Sequence, residues 1–183
     1  MYYLHFNNNL KIRVYKSKDL STWKDEGYSF IAKTDFWGQQ DFWAPDVYEY
    51  EGRYYLQYAA PGTQYRIYGD GIYVGDNPLG PFEYMEDNPF SFKPGGFIGG
   101  AGHGHTFQDK YGNYWHVASM TISVRHSFER RLGLFPVAIS ARNGMYAHTA
   151  WSDYPFYIPD KKVDFNKTDL SMGWNLLSFR KPI

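Results

Sequence analysis

The residues of this chain best placed to do chemistry are Trp43-Ala44-Pro45-Asp46. Asp46 supplies a carboxylate, which can carry a proton or accept hydrogen bonds from hydroxyls. A proline of fixed φ precedes it, and an alternating stretch follows it through a tight Glu51-Gly52 turn. Asp46 is therefore expected at the stiff mouth of a β-hairpin spanning residues 46–59. Phe42 and Trp43 stand beside it, and Trp37 lies a little upstream. Aromatic rings offer apolar faces on which the C–H faces of sugars can pack, so rings beside an acid suit a sugar site. The same residues equally describe an ordinary hairpin with a surface aspartate and its rings in the core.

A second group lies in the glycine-rich run Gly99-Gly100-Ala101-Gly102-His103-Gly104-His105. Flanking glycines let a ligand approach His103 closely. The alternative is a turn histidine bonded to backbone. His105 reads as a strand residue. In Glu129-Arg130-Arg131, Arg130 could meet a sugar hydroxyl or carboxylate, or the three could form a solvated charge cluster. Nothing matches a phosphate loop, a zinc motif or a nucleophile elbow.

The elements that must hold these residues are β-strands. Of 183 residues, 18 are Tyr, 14 Phe and 6 Trp, which favours pleated, half-buried surfaces. With 18 Gly and 10 Pro as punctuation, the expected class is all-β with many turns and no helix. Lys+Arg and Asp+Glu are both 19, so charge gives no argument for nucleic acid or an anionic membrane as partner. No apolar run approaches membrane-spanning length. Cysteine is absent, which excludes disulfides and thiolate chemistry. Strands are expected at 2–6, 11–16, 72–74, 105–109, 113–122, 131–139 and 145–150, with a short one at 65–68. Asp70-Gly71 reads as a turn, and Leu20 and Trp23 as core residues after a Ser17/Asp19 turn. The opening Met1-Tyr2-Tyr3-Leu4 reads as the interior of a strand, so the chain is expected to be cut from a longer one.

Two segments repeat. Glu49-Tyr50-Glu51-Gly52-Arg53-Tyr54-Tyr55-Leu56 echoes Gln108-Asp109-Lys110-Tyr111-Gly112-Asn113-Tyr114-Trp115-His116. Ser17-Lys18-Asp19-Leu20-Ser21-Thr22-Trp23 echoes Gly75-Asp76-Asn77-Pro78-Leu79-Gly80-Pro81-Phe82. A period of roughly 50–60 residues with about four strands each is propeller-blade spacing, and it predicts about three blades, the first incomplete.

Taken in order, Ser17–Trp23, Trp43–Asp46, Asp76–Phe82, Gly102-His103-Gly104 and Glu129-Arg130-Arg131-Leu132-Gly133-Leu134-Phe135-Pro136 resemble glycoside hydrolase family 43. The similarity covers most of residues 2–150. It implies a five-bladed β-propeller, present here as an incomplete propeller domain over 1–150. Residues 151–183 then form a tail, where Gly173-Trp174-Asn175-Leu176-Leu177-Ser178-Phe179 looks like a linker to an accessory β-sandwich. It also implies inverting hydrolysis of O-glycosyl bonds in arabinose- and xylose-containing polysaccharides, which needs one carboxylate as base and one as acid. Asp46 matches a third family carboxylate, which orients the acid and tunes its pKa. Phe42, Trp43, Trp37, His103 and Arg130 are the candidate substrate contacts. His103 matches a histidine near the propeller axis that holds a metal or a water in several members. No cofactor is required, and a structural calcium near the axis is the candidate metal.

The chain departs from the family at the acid and the base. The family's base sits on the first blade, just before the strand that here begins at Tyr2. Residues 42–48 look like the second blade, whereas 54–105 look like the fourth leading into the fifth. On a fourth-blade alignment Trp43 falls where the acid stands, and an indole cannot donate that proton. A glycan-binding chain without turnover is therefore the first rival to a hydrolase, and a structural or interaction propeller the second. Open blade edges are expected to promote self-association. The resemblance also implies a secreted or periplasmic parent protein.

Overall fold

A computed structural model of the chain describes residues 2–7, 11–31, 37–38, 42–61, 68–94, 98–122, 125–126, 129–139, 144–168 and 170. Its strands form three antiparallel sheets in chain order. The first is β1 (Tyr2–Asn7), β2 (Lys11–Lys16) and β3 (Lys24–Ile31). The second is β4 (Trp43–Tyr50), β5 (Arg53–Pro61), β6 (Tyr68–Gly75) and β7 (Glu83–Tyr84). The third is β8 (Gly99–Gln108), β9 (Tyr114–Thr121), β10 (Arg130–Ile139) and β11 (Met145–Ala147). The chain is all-β, an incomplete propeller of three blades, as its repeats predict.

The repeats map onto equivalent places. The Glu51-Gly52 turn joins β4 to β5, and the Asp109–Asn113 turn joins β8 to β9. The Ser17–Trp23 turn joins β2 to β3, and the Asp76–Phe82 turn joins β6 to β7. So β1, β2 and β3 correspond to β5, β6 and β7. The first sheet lacks, among the described residues, the counterpart of β4 and β8.

Three local expectations change. Asp70 and Gly71 lie inside β6 rather than in a turn. Their glycine neighbourhood serves close approach: a Cβ on Gly69 would meet the Ser91 carbonyl at 2.5 Å, and one on Gly71 the Tyr58 ring at 2.3 Å. Strand β8 starts at Gly99, well before 105, because register shifts let it carry its glycines within the ladder. Leu20 and Trp23 are 56% and 38% exposed, so they do not enter the core. The Ser17/Asp19 turn itself forms as expected. Asp19 Oδ1 accepts the N–H of Ser21 and Thr22 at 2.9 and 2.8 Å, and these bonds lower its pKa to about 2. The expected turns at 8–9 and 141–143, the strand residues 65–67 and everything past 170 lie outside the described residues.

Blades pack face to face through rings. Ile12 and Phe30 of the first sheet join Phe42, Leu56, Tyr58, Tyr73 and Phe82 in one cluster. Between the second and third sheets, Tyr55, Ile72, Val74 and Phe90 meet Val137 and Met145. The far face of the third sheet is also covered. Trp115 and Ala138 pack under Phe165 and Leu170, with Trp151, Phe156 and Val163 alongside. The expected boundary near 150 falls within a short 3-10 turn, Thr149–Asp153, and Trp151, Phe156, Val163, Phe165 and Leu170 beyond that boundary contribute to this blade's core.

One turn and one ion pair fix the third blade. Asp109 accepts the N–H of Tyr111 (2.8 Å) and Asn113 (2.9 Å) and the Trp115 indole N–H (2.9 Å). Burial alone would raise its pKa; the Trp115 and Asn113 hydrogen bonds outweigh that and lower it. Lys93, on the connection between the second and third blades, pairs with Asp153 at 2.5 Å, and their side chains are 6% and 14% exposed.

Two substitutions test these assignments. Lys93→Met leaves the mostly buried Asp153 carboxylate without its cation and should cost about 3–5 kcal/mol. Phe42→Ala empties the ring-lined space between the first two blades and should cost a similar ~3–5 kcal/mol. Both are read from urea midpoints at constant m-value. A loss below ~1 kcal/mol for either would contradict its assigned place.

Candidate active site

Two irregular strand entrances face each other across the second and third blades. On β4, Ala44 has φ 49°, and the pairing with β5 shifts register between Trp43 and Asp46. On β8, Ala101 and His103 have φ 74° and 57°, with register shifts on both sides of Gly102. Left-handed backbone at non-glycine residues is strained and clusters where side chains must be aimed. Here the bulges aim Asp46 and His105 at one another.

His105 Nδ1 lies 2.8 Å from Asp46 Oδ2, with side-chain exposures of 58% and 28%. The imidazole N–H donates to the carboxylate. That leaves Nε2 as the ring's second polar atom, an acceptor when neutral and a donor when protonated. His103, two residues earlier, is also exposed. The pair can thus orient a hydroxyl-bearing ligand and pass a proton to or from it.

The other expected contacts separate into two groups. Phe42 is 2% exposed, boxed in by Phe30 at 5.4 Å and Tyr58 at 4.5 Å, so it is a core residue and no stacking platform. Trp37 packs on the same cluster. Its backbone N–H donates to the Tyr84 hydroxyl at 3.0 Å and its carbonyl accepts from Tyr58 at 3.0 Å, and its ring is partly buried. Trp43 is partly buried, 5.7 Å from the Tyr68 ring. The Arg130 guanidinium lies 4.6 Å over the other partner of this group, the same Tyr68 ring, and donates to its hydroxyl. Arg130 is therefore not a freely solvated charge; it stacks on Tyr68. A Cβ on Gly102 would stand 2.2 Å from that ring, so Tyr68 lies against the backbone next to His103.

A calcium or other metal was the candidate cofactor at His103. Among the described residues no group of three or more His, Cys, Asp or Glu side chains gathers to hold one.

Sequence reasoning passed over the residues behind the site. Asp70 is 1% exposed, and its carboxylate accepts the N–H of His103 (2.8 Å) and Gly104 (2.9 Å). Its Oδ2 is 3.0 Å from Nε2 of His116, a fully buried histidine. The available signal was an acid between two glycines in an otherwise aromatic and aliphatic run, since an interior acid needs partners.

Comparison with known proteins follows the same lines. The model of the family described as glycosyl hydrolases family 43 matches residues 1–64. No curated protein matches the chain. Among solved structures, an endo-arabinase from Bacteroides thetaiotaomicron is 42% identical over 87% of this chain and 56% of its own, with a TM-score of 0.63. A thermostable family-43 glycoside hydrolase is 21% identical over 88% of this chain and 56% of its own, with a TM-score of 0.69. A xylan beta-1,4-xylosidase from Bacillus halodurans is 19% identical over 87% of this chain and 32% of its own, with a TM-score of 0.62. The last two show likeness of fold alone. The chain spans about half the length of the first two structures and a third of the last. By the match over its first third and the endo-arabinase likeness over most of its length, this chain belongs to glycoside hydrolase family 43.

Proposed function

We propose that this chain carries part of the glycan site of a hydrolase that cleaves O-glycosyl bonds in arabinose- and xylose-containing polysaccharides by inversion. The observation that carries this is the Asp46–His105 pair at two opposed strand bulges, beside Trp43, in a family-43 propeller. Asp46 would orient and tune the proton donor, and Trp43 would offer its ring to a sugar face. The endo-arabinase and xylosidase likenesses favour pentose-containing glycans. Polymeric glycans are met outside the cytoplasmic membrane, which favours a secreted or periplasmic parent protein.

A second function has an observation of its own. Inversion needs two carboxylates far enough apart to admit a water. Asp46 is paired with a histidine, and Asp70 is buried and committed to backbone. Glycan binding without turnover fits that donor set.

Aryl arabinofuranoside and xyloside hydrolysis by this chain, beside Asp46→Asn, decides between them. If hydrolysis runs on these residues, Asp46→Asn should lower kcat/KM by about a hundredfold, in the range of a removed acid–base group. No turnover by either, with arabinan or xylan binding that weakens on the substitution, would select binding alone. No binding and no turnover would overturn both.

We also propose self-association. Strands β1 and β3 edge the first sheet, each pairing with β2 alone among the described residues. Open edges present unpaired backbone groups to other chains. Sedimentation velocity across a concentration series should show species larger than the 21.4 kDa monomer. A single monomer species at every concentration would refute it.

A further inference from the structure

Behind the exposed histidines runs a buried polar chain that crosses the second and third blades. Gln57 Nε2 donates to Thr106 Oγ1 at 2.7 Å, and Thr106 Oγ1 lies 3.1 Å from His116 Nδ1. His116 Nε2 then meets Asp70 Oδ2. Gln57, Thr106, His116 and Asp70 are each at most 1% exposed. With its proton on Nε2, His116 fits every link: the Thr106 hydroxyl donates to Nδ1, and Nε2–H donates to Asp70. The chain ends on the consecutive amides of His103 and Gly104, which converge on the two Asp70 oxygens. Successive backbone N–H groups of this kind form an anion-binding concavity, filled here by the protein's own carboxylate.

This arrangement does more than satisfy a buried acid. His103 sits at φ 57°, and β8 loses register on both sides of Gly102, so the segment needs something outside itself to hold it. Asp70 grips both amides between the bulge and His105. Gln57 is the cross-strand partner of Asp46, so the far end of the chain lies beside the other half of the pair. A Cβ on Gly104 would stand 2.3 Å from His116 Nε2, so only glycine leaves room for this contact.

We infer that Asp70 is a positioning residue. Through the His103 and Gly104 amides it fixes the β8 bulge so that His105 meets Asp46 and His103 faces outward. Its effect on ligand rests on the proposed glycan site; its effect on the bulge does not.

The test uses the full chain in Asp70→Asn and Asp46→Asn forms, with the near-isosteric Thr106→Val as a milder break. NMR follows the His103 and Gly104 amide protons and the His105 imidazole signals, and titration measures arabinan and xylan affinity. Asp70→Asn should move both amide protons upfield and shift the His105 ring signals to those of Asp46→Asn. It should also weaken glycan binding about tenfold or more, the scale of a lost charged hydrogen bond. Thr106→Val should move the same signals the same way by less. Native His105 signals in a folded Asp70→Asn chain would overturn the inference. If that variant does not fold, unmoved signals in Thr106→Val would overturn it. If the native chain binds neither glycan, the glycan-site proposal fails while the NMR result still decides the role of Asp70.

Discussion

The structure depends on covering each sheet's faces. A blade is a small antiparallel sheet rich in rings, and an exposed face of that kind would not be stable in water. Phe30, Phe42, Tyr58 and Tyr73 close the gap between the first two blades, with Phe30 and Tyr73 centroids only 4.1 Å apart. Tyr55, Phe90 and Val137 do the same between the second and third. Past the third blade the chain covers its own outer face, with Phe165 set edge-on to Trp115 at 5.0 Å. Aromatic content and fold are thus one fact seen twice: wide rings fill the wedge between twisted sheets that smaller side chains would leave open.

That packing lets the inner strands be irregular. Strands β4 and β8 carry bulges and left-handed residues that would weaken a free hairpin. They persist because β5, β6 and β9 are clamped on both faces and because a buried acid holds β8 by its backbone. The partly exposed Asp46–His105 pair therefore stands on a dry, hydrogen-bonded foundation. A long-range contact between residues 46 and 105 is positioned by others as distant in sequence, such as 57 with 106 and 70 with 116.

Much of the fold and part of the site were legible beforehand. The echo between Glu51-Gly52 and Tyr111-Gly112 located equivalent turns because tight turns demand particular residues wherever they occur. Asp46 and the Gly102-His103-Gly104 run stood out because their neighbours are unusual. Phe42, Trp37 and Trp23 were legible as rings but not as buried or exposed: a ring suits a core and a sugar equally well. The Asp70-Gly71 pair looked like a turn because those residue types favour one; in β6 the glycines answer instead to Tyr58 and Ser91, which sequence neighbours do not reveal.

The sequence by itself determined the class, the strand count per repeat and the family, since these rest on composition, spacing and local turn chemistry. Tertiary structure alone decided which rings were core, that Arg130 stacks on Tyr68, and that Asp46 meets His105. Those outcomes depend on how three twisted sheets approach one another, and that approach is set by the sum of many weak contacts rather than by any one local pattern.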